Sequence, residues 1–165
     1  MATKITRRNL LRIGGCAGAG LVVAGVGGVG LYEAGTLDRL FGISHTPELD
    51  NENAWAYADN VLTVDLAQVT DLAEINSGVQ LDHDTLPEPL LIVHGDDDEF
   101  YVFVNKCPHA DRKIDVIDGQ VRCTSMGKST FDYAGTRLSG TADSPLPTYE
   151  VARDGDTLTI RLLSA

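Results

Sequence analysis

The sequence predicts an all-β domain behind an apolar N-terminal helix, on three observations. Seven short runs beyond residue 60 are rich in β-branched and aromatic residues, and turn formers bound each of them. The same stretch carries no long helical repeat. Ahead of it, the 20 residues from Ile13 to Tyr32 contain no charge.

Arg7 and Arg8 stand side by side in Thr6-Arg7-Arg8-Asn9-Leu10-Leu11-Arg12, just before the uncharged stretch, a pattern that resembles the twin-arginine export signal. That resemblance implies export of a folded chain, often one carrying a cofactor. At about 1.5 Å per residue the uncharged segment 13–32 would reach roughly 30 Å, the thickness of a bilayer core. Eight of its residues are glycine, which makes it a weaker anchor than a leucine-rich helix. No clear Ala-x-Ala site stands between the apolar stretch and the body, so the expectation is an uncleaved anchor with the domain on the extracytoplasmic side of the cell membrane. Cys16 opens the apolar region, where a lipidated cysteine would follow it; it reads as a small apolar helix residue.

Residues 36–60 are polar and lack periodicity, as expected of a linker, with Trp55 and Tyr57 pinning its far end to the domain. Residues 61–165 form one domain, and the length leaves no room for a second. Its expected strands cover 61–65, 78–81, 90–94, 100–105, 120–123, 149–153 and 157–162, within a total of about seven to nine. Hairpin turns are expected at 95–98 and at 154–156, where Asp and Gly tolerate tight-turn backbone angles, and a short helical turn between 66 and 74.

Charge narrows the partners. Beyond residue 35, nine basic face 23 acidic side chains, a formal −14 within the chain's −11. Such a surface repels phosphate backbones and anionic headgroups, so nucleic acid is excluded as a partner, and a basic protein or a high-salt habitat would suit it.

The chemistry-bearing residues are few. The body has two cysteines, each in a turn-like box: Cys107-Pro108-His109 and Cys123-Thr124-Ser125-Met126-Gly127. Before the first box runs Tyr101-Val102-Phe103-Val104-Asn105-Lys106. After the second come Phe131-Asp132, Ser139-Gly140-Thr141-Ala142 and Pro145-Leu146-Pro147-Thr148-Tyr149-Glu150-Val151. With these motifs in this order over about residues 61–162, the sequence resembles the Rieske proteins, whose signature is C-x-H followed by C-x-x-H-G.

The resemblance implies a Rieske-type antiparallel β-sandwich holding a 2Fe-2S cluster. Cys107 and Cys123 would bind the inner iron, His109 the outer, and Ser139–Ala142 would shield the site. The family's fourth ligand is a histidine three residues after the second cysteine, and Met126 stands there, a soft neutral thioether poorly matched to ferric iron. The 13 residues between His109 and Cys123 are a few short of the family's habit, and one residue is extra between Gly127 and Phe131. Counting back from Phe131 puts Gly127 at the histidine position; neither count finds a histidine. His45, His83 and His94 read as surface residues rather than ligands. The inter-loop disulfide of cytochrome bc-type relatives is not expected, because its positions hold Arg112 and Ser125.

Three readings of the boxes stay open: a 2Fe-2S cluster, a clusterless scaffold stapled by a Cys107–Cys123 disulfide, and a single metal such as zinc on two thiolates and an imidazole. The resemblance favours an electron-transfer subunit that does no bond chemistry itself. Its partners would be a membrane quinol-oxidising cytochrome or an exported molybdenum oxidoreductase. The length disfavours a Rieske oxygenase component, which needs a substrate-binding domain.

Overall fold

The computed structural model describes residues 44–162. The twin-arginine motif, the apolar segment 13–32 and Cys16 lie outside the described residues. Among the described residues no helix is long and apolar enough to cross a membrane.

Among the described residues eleven strands form two sheets, and every strand pair is antiparallel. The larger sheet has the order β1-β2-β11-β10-β5-β4-β3. It is built from β1 (Trp55–Ala58), β2 (Val61–Asp65), β3 (Ser77–Leu81), β4 (Leu90–His94), β5 (Phe100–Val104), β10 (Thr148–Asp154) and β11 (Thr157–Arg161). The smaller sheet runs β6 (Ile114–Ile117), β7 (Gln120–Cys123), β8 (Thr130–Phe131) and β9 (Arg137–Ser139). The all-β expectation holds, and both expected hairpins form, β4–β5 and β10–β11. In place of one short turn, two 3-10 turns lie at Leu66–Gln68 and Thr70–Leu72.

Strand β4 shows why the two sheets make one domain. Its sequence Leu90-Leu91-Ile92-Val93 lacks the polar alternation of a half-exposed strand, and all five of its residues are buried. Side chains alternate across a strand, so Leu90 and Ile92 enter one core with Leu62, Val79 and Leu158. Leu91 and Val93 enter a second core with Ile114, Val121 and Phe131 from the small sheet. Strand β5 repeats the division, Phe100 and Val102 on one side and Phe103 on the other. Each such fully buried side chain stabilises the fold by about 1.5–3 kcal/mol. Cys107 and Cys123 belong to the second core, so the boxes sit where the small sheet packs on the large one.

Part of the stretch expected as linker is ordered into the domain. Strand β1 pairs residue for residue with β2, and Trp55 and Tyr57 pack partly buried against the first core, as their aromatic area requires. Further upstream, Glu48 bridges to Gln80, Gln80 N–H donates to Pro47 O and Leu49 N–H to Gln80 O, both at 2.8 Å.

Candidate metal centre

The two boxes lie side by side at the open end of the β6–β7 hairpin, where Ile114 pairs with Cys123. The first loop closes on its own cysteine: Cys107 N–H donates to Arg112 O at 2.7 Å, and Cys107 O accepts from Ala110 and Asp111 N–H. At its base the buried Asn105 side chain accepts Ile114 N–H at 2.9 Å. The second loop closes through Cys123 N–H to Ser129 O at 2.8 Å and Lys128 N–H to Ser125 O at 3.2 Å. Thr124 ties the two together, donating both N–H and Oγ1–H to Lys113 O. A third loop is fastened to the second by Ser129, fully buried, whose Oγ accepts Thr141 N–H at 3.0 Å and Ala142 N–H at 2.9 Å.

This scaffold brings Cys107, His109 and Cys123 together, with one donor atom from each all within 4.8 Å of one another. The cysteines are 0% and 2% exposed, and their sulfurs are not joined. His109 is half-buried, its Nδ1 2.9 Å from Cys107 Sγ. Burial pushes the Cys107 thiol up to about 12, and the adjacent Cys123 adds to the effect. A cation held here must therefore displace the Cys107 proton, which is how a bound metal inverts the local preference of a thiol.

Ser125 joins the group unannounced by any motif. Its Oγ lies 3.1 Å from Cys123 Sγ and 3.1 Å from His109 Nε2, and its N–H points to Cys123 Sγ at 3.5 Å. Met126 is not drawn in: it is 67% exposed, so its side chain lies in solvent and not among these donors. Gly127 sits beside the centre, where a Cβ would stand 2.9 Å from His109 Nε2 and 2.5 Å from Thr141 Oγ1.

The other histidines stay out of the group. His83 is exposed, edge-on to Trp55 and bonded to Thr85, and His45 is exposed. His94 differs from its surface reading. It is buried, with Nδ1 3.0 Å from Leu72 O, Nε2 2.9 Å from Asp98 and the ring stacked on Phe100.

Fold and site define a small antiparallel β-domain with a two-thiol, one-imidazole centre offered by adjacent loops. The family model of the Rieske [2Fe-2S] domain matches residues 64–150, over half of the chain, and the chain belongs to that family. Among solved structures, a chain of the complex of reduced oxygenase and oxidised ferredoxin in carbazole 1,9a-dioxygenase is 19% identical. The match covers 64% of this chain and 95% of that one, with a TM-score of 0.53. The cyanobacterial plasma membrane Rieske protein PetC3 from Synechocystis PCC 6803 is 20% identical, over 50% of this chain and 84% of its own, at a TM-score of 0.43. The ferredoxin of carbazole 1,9a-dioxygenase from Nocardioides aromaticivorans IC177 is 22% identical, over 59% and 92%, at 0.48. No curated protein matches the chain.

The family implies a 2Fe-2S cluster, and the residues present fit it at three of the four protein positions. Two buried, unlinked thiols would suit the iron that takes sulfur ligands, and His109 could offer one of the two nitrogens for the other.

Proposed function

We propose that the protein is a membrane-anchored iron-sulfur electron-transfer subunit of an extracytoplasmic redox complex. The observation that carries this reading is the convergence of Cys107, His109 and Cys123 from two interlocked loops in a chain of the Rieske family. When bound, the cluster supplies one-electron chemistry, and Cys107, Cys123 and His109 are the residues that would hold it. The chain's own contribution is to keep the two sulfurs out of water, to fix the loops through Thr124 and Ser129, and to leave the His109 ring at the half-buried edge.

Residues 1–35 serve as export signal and membrane anchor and the following segment as tether, on the strength of the paired arginines and the uncharged stretch 13–32. The partner is a membrane cytochrome or an exported molybdenum oxidoreductase. Charge distribution supports approach through the metal-centre end. Residues 105–142 carry six basic and four acidic side chains, while the other described residues carry two and 18. An anionic partner surface is repelled by the rest of the domain and not by this end.

Cys107→Ser in the full chain tests the reading. An electron carrier loses its reversible one-electron reduction while its fold persists. A scaffold stapled by a Cys107–Cys123 disulfide loses stability and has no such redox signal to lose.

A further inference from the structure

We propose that Ser125 Oγ is the fourth protein donor of this centre, in the place that a second histidine takes in the family's pattern. The inference rests on the electron-transfer reading and deepens it. Two counts along the second box nominate residues for that place, and neither can fill it. Met126 is 67% exposed. Gly127 has the right direction, since its Cβ would meet the His109 ring, but it has no side chain to offer. Ser125 instead places a hydroxyl against a residue of each loop, 3.1 Å from Cys123 Sγ and 3.1 Å from Nε2 of the His109 ring, whose Nδ1 faces Cys107 Sγ.

The chemistry is suited to the metal. An alkoxide is a hard, anionic oxygen donor that matches ferric iron better than a neutral thioether does. As the Oγ–iron bond forms, the Oγ–H bond breaks and the proton leaves to bulk water; no electron moves. Replacing a neutral imidazole by an alkoxide adds one negative charge beside the metal, which favours the oxidised state and lowers the reduction potential. The site would thus give one strongly coupled imidazole nitrogen where a two-histidine centre gives two.

The experiment compares the full chain with Ser125→Ala, Ser125→Cys and Met126→Ala after anaerobic reconstitution with iron and sulfide. Iron content, release to a chelator, reduction potential, EPR of the reduced state and nitrogen hyperfine couplings are read for each, with circular dichroism confirming the fold. The expected result is one strong nitrogen coupling in the parent chain. Ser125→Ala should release iron at least about tenfold faster, on the scale seen when metal-site support is removed. Ser125→Cys should keep its iron with altered g-values, and Met126→Ala should match the parent. Parent-like iron retention and g-values in Ser125→Ala would overturn the assignment, and so would a shift in potential alone, which marks a hydrogen bond to Cys123 Sγ. A parent chain that binds no iron sinks the electron-transfer reading and the ligand together, an outcome distinct from loss of the serine role only.

Discussion

Thr46 and Asp115 hold each other across 69 positions of sequence. Thr46 N–H donates to the Asp115 carboxylate at 3.2 Å, and Thr46 Oγ1 accepts the N–H of Val116, the residue after Asp115, at 3.1 Å. The same carboxylate, 2% exposed, takes His45 N–H and the Ser44 hydroxyl. The chain entering the domain is thereby clamped to β6, the strand that follows the first box.

Asp115→Ala removes the acceptor and leaves buried donors unsatisfied, each costing about 1–3 kcal/mol. We expect a loss of about 2–4 kcal/mol in urea unfolding, and a smaller loss for Asp115→Asn, which keeps one acceptor oxygen. Unchanged stability in the alanine variant would contradict the clamp.

Gly140 is required by contact. At φ +93°, its Cβ would stand 2.3 Å from Ser129 Cα and 2.6 Å from Ser129 N, both backbone atoms that cannot swing aside. Gly140→Ala should cost more than about 1 kcal/mol and should speed iron release, because the displaced loop pulls Thr141 and Ala142 off Ser129 Oγ. Thermal unfolding and a chelator assay read the two effects.

The β4–β5 hairpin carries a pH signature. Tyr101 Oη donates to Asp97 Oδ2 at 2.6 Å, and this bond, with burial, raises the tyrosine from 10.0 to about 12. Stability from the tyrosine is complete below pH 10.0 and is lost as pH rises through about 12. The same bond lowers the Asp97 carboxyl from 3.8, so its contribution is present above that value and fades as pH falls through the lowered one. Tyr101→Phe should remove the tyrosine's alkaline slope and weaken the acid one, since the Glu99 N–H also holds the Asp97 carboxyl down; chemical denaturation from pH 9 to 12 measures the alkaline one.

Much of this fold is legible in the sequence where composition and periodicity speak. The run Leu90 to His94 and the hairpin turns before Phe100 and Thr157 declare themselves. Strand β6 is missed in the sequence reading although its signal exists: Asp118 and Gly119, at φ 53° and 74°, make the two-residue turn between Ile117 and Gln120 that their types favour. Strands β8 and β9, two and three residues long, carry no periodicity to detect. Strand β1 hides in a polar stretch because only one face of it packs.

The centre follows the same logic. Cys107, His109 and Cys123 are visible because thiols and imidazoles are rare in this chain. Ser125, Ser129 and Asp115 are invisible, since hydroxyls and carboxylates are common and their roles come from contacts across the fold. His94 escapes as a buried residue because its partners, Leu72 O and Asp98, are set by tertiary structure.

Cys107, His109 and Cys123 are proposed to hold a 2Fe-2S cluster. Low-temperature EPR of the dithionite-reduced full chain, with iron and acid-labile sulfide analysis, tests it most directly. Two irons and two sulfides per chain are expected, with a rhombic signal that vanishes in Cys107→Ser. A folded, EPR-silent chain without iron after iron-replete expression would contradict it.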